Sequence, residues 1–192
     1  MSSYRWRTVD IIVASTIGVA FGVIFWAWTQ LYVAVTPAFT FFQPAVTVLY
    51  GVWLMPAVLG PWVIRKPGAA IYCETVAAIV SALIGSAWGT VVWQGLLQGV
   101  AAELVFLAVL YRVWRLPVAV LAATAAGLAA AISDQFAWWP GMDMYSFRLP
   151  YIAITVLSSI VIAGFGTVAL TKALAGTGVL DRFPSGRVRE LV

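Results

Sequence analysis

Histidine is absent from this 192-residue chain, and cysteine occurs once, as Cys73. The first absence removes the commonest metal ligand and the commonest general base. The second excludes an internal disulfide and any zinc-binding cysteine cluster. No Ser–His pair and no H-E-x-x-H motif is present, and no G-x-x-x-x-G-K-[ST] loop for ATP phosphates. No helix carries the arginine ladder of a voltage sensor. Charge is scarce as well, at 9% of residues against about 25% in an average soluble domain. These gaps exclude hydrolase, metal-dependent and P-loop chemistry, so neither enzyme activity nor a cofactor is expected.

What the chain has in quantity is apolar surface, 63% of its residues. Such a chain is read as living in the lipid bilayer, where a spanning helix needs about 20 mostly apolar residues. Six segments qualify: Val9 to Leu31, Pro44 to Ile64, Gly68 to Gly85, Val91 to Tyr111, Pro117 to Trp138 and Pro150 to Leu174. Breakers separate them, including Pro37, "RKPG" at 65–68, "GSAWG" at 85–89 and "WWPG" at 138–141. The basic start "MSSYRWR" resembles that of a signal peptide, but the apolar run after it exceeds the usual length of about 7–15 residues and is read as a spanning helix. The expected fold is therefore all-α: one integral-membrane domain of six transmembrane helices over residues 1–192.

Charge orients the bundle. Arg5, Arg7, Arg65, Lys66, Arg112, Arg115, Lys172, Arg182, Arg187 and Arg189 fall on one side, and Arg148 alone on the other. This asymmetry places both termini in the cytoplasm. The net charge of +4 is spread among loops rather than clustered on one face, so it gives no nucleic-acid surface. Trp6, Trp62 and Trp114 lie towards the cytoplasmic boundary, whereas Trp26, Trp28, Trp88, Trp93, Trp138 and Trp139 gather at the outer one. An outer group of this kind fits an interfacial belt or a pocket with aromatic walls.

Glu74, Glu103 and Asp134 fall inside the third, fourth and fifth segments, where a charged residue costs roughly 2.5–3.5 kcal/mol on insertion scales. Glu74, Ala78, Ser81, Gly85 and Trp88 share one helical face, small or polar throughout, as a pocket wall would be. Gln94 and Gln98 share a stripe of the fourth helix. Two readings stand beside each other: interhelical hydrogen bonding, and a polar ligand or ion site opening outward. No basic residue lies deep in a helix to neutralise the three acids. Asp10, Asp181 and Glu190 are read as solvated or capping groups at cytoplasmic ends, and Asp143 as a surface partner of Arg148. The uncharged stretch Tyr32 to Phe42, "YVAVTPAFTFF", is a lid over the pocket or a loop on the membrane surface. In the first helix, Ala14, Gly18 and Gly22 form a small-residue stripe, suited to close packing within the bundle or against a partner. Ala119, Ala123, Gly127 and Ala131 repeat the device in the fifth.

"RKPGAA" (65–70), Glu74 with "AA" at 77–78, "QGVAAELVF" (98–106), Asp134 and "TGVL" (177–180) together resemble the substrate-binding S components of energy-coupling factor (ECF) vitamin transporters. The likeness runs over essentially the whole chain and is nearest to the YkoE-type branch. It implies a binding subunit that captures thiamine or its hydroxymethylpyrimidine precursor from outside, with a separate transmembrane coupling subunit and two ATPase subunits supplying the work. It implies that Ala14, Gly18 and Gly22 dock on the coupling subunit. The expected ligand-binding set is Glu74, Trp88, Gln94, Gln98, Glu103, Asp134, Trp138 and Tyr50. Carboxylate or carboxamide groups suit an aminopyrimidine edge, and aromatic faces suit a thiazolium cation. Against this stand a lone ion- or proton-coupled transporter using the three carboxylates as a relay, and a membrane scaffold or an enzyme, for which no nucleophile or metal set is found.

Overall fold

The computed structural model describes residues 4–85, 88–181, 183 and 185–186. Arg182, Arg187, Arg189 and Glu190, used above for orientation, lie outside the described residues. Helix α1 (Thr8–Val35) opens with a capping box: Asp10 accepts the Arg7 backbone N–H at 2.8 Å and the Arg7 guanidinium at 2.8 Å. Asp10 caps as its position suggests, but it is fully buried rather than solvated.

The second crossing is not a uniform α-helix. It runs as a 3-10 helix over Gln43–Leu54 and then as α2 (Met55–Ile64). Proline explains the seam. Pro56 has no N–H to give the Val52 carbonyl, which instead takes that of Met55 in an i→i−3 pairing. β-Branched Val46, Thr47, Val48 and Val52 further weaken the α alternative.

Four more units follow: α3 (Ala69–Ile84), α4 (Trp88–Ala108), α5 (Leu116–Ala137) and the sixth crossing. The sixth crossing is continuous from Met144 to Gly176, with α6 (Leu149–Ser158) and α7 (Gly166–Gly176) joined by a π-helical stretch, Ser159–Phe165. Five of the six crossings are helices long and apolar enough to span a bilayer; α3, with 16 residues, is the short one. The second crossing sits at the centre, with 72% of its apolar window buried against 33–44% for the other long helices. α1, α3, α4, α5 and the sixth crossing pack in that sequence around it.

Close helix approaches are made by glycine. A Cβ on Gly18 would lie 2.7 Å from Val76 Cβ, and one on Gly22 2.5 Å from Val80 Cβ. Ala14, Gly18 and Gly22 are buried against α3. The expectation that this stripe docks on a partner is therefore corrected: it faces inward, because α3 already fills it. The fifth-helix stripe is likewise internal, with Gly127 against Ser159 and Ala123 against Gly164.

At the outer end, Asp143 accepts from Tyr145 N (2.9 Å), Ser146 N (2.7 Å) and Ser146 Oγ (2.9 Å), capping the sixth crossing. These donors, Ser146 N–H foremost, hold its carboxyl below the usual range. The expected pair with Arg148 is thus replaced by a helix cap.

Candidate ligand-binding site

A cavity of about 460 Å³ lies in the outer half of the bundle, within the range of about 300–1,000 Å³ typical of small-molecule sites. One wall is the α3 face read from the sequence: Glu74, Ala78, Ser81 and Gly85 all line it. The next is α4, with Gln94, Gly95 and Gln98. Asp134 and Trp138 come from the end of α5, Tyr151 from α6, and Tyr50 and Trp53 from the 3-10 helix. α1 closes the outer side with Phe25, Thr29, Tyr32 and Val33.

Glu74 stands where the seam in the second crossing leaves a donor to satisfy. Its Oε2 accepts the Ala57 N–H at 2.8 Å, in the first turn of α2. An anionic acceptor is favoured at a helix N-terminus by the partial positive charge there. Its Oε1 is buried and has no hydrogen-bond partner among the described residues. Fully buried yet bordering the cavity, this carboxylate keeps one acceptor available for a ligand donor.

Across the cavity Asp134 is held by side chains. Tyr151 OH donates to Oδ2 at 2.6 Å, Gln94 Nε2 donates to Oδ1, and the Tyr50 hydroxyl reaches the same carboxylate. This network fixes the orientations of Gln94, Tyr50 and Tyr151 in a setting where unsatisfied polar groups are costly. Gln98 lines the cavity one turn below Gln94 and is buried. Trp53 meets Tyr50 edge-on at 5.3 Å and Tyr32 at 5.2 Å, giving the polar groups an aromatic surround.

Of the expected residues, Glu74, Gln94, Gln98, Asp134, Trp138 and Tyr50 come together here. Trp88 begins α4, and its side chain lies outside the described residues. Glu103 does not reach the cavity. It accepts from Gly68 N (2.7 Å), Ala70 N (2.8 Å) and Tyr111 OH (2.7 Å), so it caps α3 at the cytoplasmic end. Its carboxylate is already occupied by three donors. Trp53 and Tyr151 were not singled out from the sequence, whereas Trp139 belongs to the outer tryptophan group and Tyr32 to the stretch expected as a lid or loop; all four line the cavity. The stretch expected as a lid or loop is partly helix: α1 continues to Val35, a 3-10 turn covers Thr36–Phe39, and Phe41 is fully exposed.

The bundle thus holds an aromatic-walled cavity bordered by a carboxylate with one oxygen unpartnered among the described residues. The family model described as "ABC-type cobalt transport system, permease component" matches residues 9–129. A Bacillus subtilis (strain 168) protein named as an HMP/thiamine permease protein, YkoE, is 34% identical over 187 residues, covering 95% of this chain and 91% of that protein. A solved structure titled "Crystal structure of an S-component of ECF transporter" superposes with a TM-score of 0.90 at 31% identity, over 97% of this chain and 94% of that one. The chain belongs to the ECF-transporter S-component family, in the YkoE-like group of permease components.

Proposed function

We propose that this protein is the membrane subunit that captures thiamine or hydroxymethylpyrimidine from outside the cell for ATP-driven uptake by an ECF transporter. The observation that carries this reading is the Glu74 Oε1, unpartnered among the described residues, on a residue that lines an aromatic-rich cavity shared with Gln98. An acceptor and a carboxamide lining one cavity suit the donor–acceptor edge of an aminopyrimidine. Trp53, Trp138 and Trp139 offer π-faces for a thiazolium ring. An organic ligand also fits the side-chain chemistry better than a metal ion: the chain has no histidine, and no three His, Cys, Asp or Glu side chains converge among the described residues.

The partners follow from the same reading. A coupling subunit and two ATPase subunits supply the energy step that this chain, lacking a P-loop, cannot perform. Since Ala14, Gly18 and Gly22 face inward, the docking surface we propose is the opposite side of α1. There Thr16 and Ala20, four residues apart and exposed, lie in a shallow groove bordered by Ile11, Ile12 and Val19. Small residues at this spacing permit close helix contact in lipid. The relay reading loses a member, because Glu103 is committed to capping α3. Vesicles containing this chain alone test the choice: ligand binding without uptake supports the capture subunit, whereas ion-driven uptake supports a lone transporter.

A further inference from the structure

Ser158, at the end of α6, is not among the residues that line the cavity, yet its hydroxyl holds one of the cavity's walls. Ser158 Oγ accepts the Gly51 N–H at 2.9 Å and donates to the Val48 carbonyl at 2.6 Å. Those two backbone groups are three residues apart, the donor and acceptor of a single 3-10 turn. The hydroxyl therefore engages both ends of one turn in the middle of Gln43–Leu54. Gly51 makes the approach possible: a Cβ there would lie 2.6 Å from Ile162 Cβ and 2.9 Å from the Ser158 carbonyl carbon.

The pitch of this segment matters for the wall. At three residues per turn, residues i and i+3 stand in line, so Tyr50 and Trp53 present their rings along one stripe facing the cavity. At 3.6 residues per turn the same two side chains would diverge by about 60°. A run of 12 residues is long for a 3-10 helix, which is usually only 3–4 residues, so its pitch needs support from outside. Trp28 Nε1, donating to the Leu49 carbonyl at 2.9 Å, supports the side facing α1. Ser158 supports the side facing α6.

We infer that Ser158 is a positioning residue for ligand capture: by bridging the Val48–Gly51 turn it keeps Tyr50 and Trp53 aligned at the cavity wall. This inference rests on the proposed capture of a thiamine-like ligand for its functional consequence, but not for its structural one. The test compares the full chain in lipid nanodiscs with Ser158→Ala and with Ser158→Thr, which retains the hydroxyl. Hydrogen exchange of peptides covering residues 43–54 is measured without ligand, and affinity is measured with thiamine and with hydroxymethylpyrimidine.

The expected result for Ser158→Ala is faster exchange confined to residues 43–54 and about a tenfold loss of affinity, consistent with removal of a bridging group that serves two backbone partners, the Gly51 N–H among them buried. Ser158→Thr is expected to restore both. Unchanged exchange in a folded Ser158→Ala protein overturns the inference. So does faster exchange with unchanged affinity. If the wild type binds neither probe, the proposed ligand class fails instead, and the exchange comparison still decides whether Ser158 holds the turn. If Ser158→Ala does not fold, Ser158→Cys replaces it, with a weaker hydrogen-bonding group of similar size. Exchange that rises equally in all helices overturns the inference in favour of simple packing.

Discussion

The Glu74 side chain and the Ala57 amide meet at 2.8 Å, where the second crossing changes from 3-10 to α geometry, and only one carboxylate oxygen is used in doing so. The contact ties a feature of folding to the candidate site. Proline at 56 and the change of pitch leave the Ala57 N–H needing an acceptor, and Glu74 supplies it from α3 while its second oxygen stays without a partner among the described residues. We propose that the residue satisfying the break in the second crossing also serves as the ligand's acceptor.

Glu74→Gln separates these two tasks. The carboxamide oxygen still accepts from Ala57, so the fold is expected to survive with a loss of about 1 kcal/mol. The amide nitrogen then occupies the position of Oε1 and offers a donor where an acceptor stood. Thiamine affinity is expected to fall at least tenfold, about 1.4 kcal/mol, in calorimetry on protein shown to be folded. Equal affinity would remove Glu74 from the site.

Glu103→Ala is expected to do the reverse. It leaves Gly68 N, Ala70 N and Tyr111 OH without their common acceptor, a loss of about 3 kcal/mol or more from buried charge-assisted bonds. The midpoint of thermal unfolding should drop markedly. The affinity of the molecules that remain folded should match wild type, because this carboxylate caps α3 away from the cavity.

Tyr151→Phe removes the 2.6 Å donor to Asp134 while keeping the ring. The expected outcome is a destabilisation of about 1–2 kcal/mol and a several-fold weaker affinity, since Gln94 then carries more of the carboxylate's hydrogen bonding. Fluorescence titration and thermal unfolding of the same sample measure both effects.

Two substitutions on α1 distinguish its faces. Gly18→Val places a side chain where Val76 already stands and is expected to cost several kcal/mol, enough to impair folding. Ala20→Leu, on the exposed side, is expected to leave folding and ligand binding unchanged but to reduce co-purification with the coupling subunit. Intact assembly with Ala20→Leu and with Thr16→Leu would move the docking face elsewhere.

Much of this architecture is legible in the sequence where α-helical periodicity holds. The six crossings match, and the α3 face of Glu74, Ala78, Ser81 and Gly85 lines the cavity as spacing by 3.6 requires. Reading failed where the partner was backbone. Trp53, three residues after Tyr50, lies within about 60° of it on an α-helical wheel and in line with it at the 3-10 pitch, and was left out of the expected set. Glu103 resembled a ligand group because its partners are two main-chain amides and a tyrosine hydroxyl beyond the end of α4, and the amides leave no signature in residue identity. The stripe of Ala14, Gly18 and Gly22 was ambiguous for a different reason. Small residues serve internal and intermolecular packing equally, and only the position of α3 decides between them.

The most direct test of the central claim is a titration of the folded, detergent-solubilised protein with thiamine, hydroxymethylpyrimidine and riboflavin, followed by tryptophan fluorescence and calorimetry. With Trp53, Trp138 and Trp139 on the cavity wall, a ligand in the cavity is expected to change the emission. The account predicts tight, saturable binding of thiamine or the pyrimidine and none of riboflavin. Absence of binding to both thiamine and the pyrimidine, in protein shown to be folded, would contradict it.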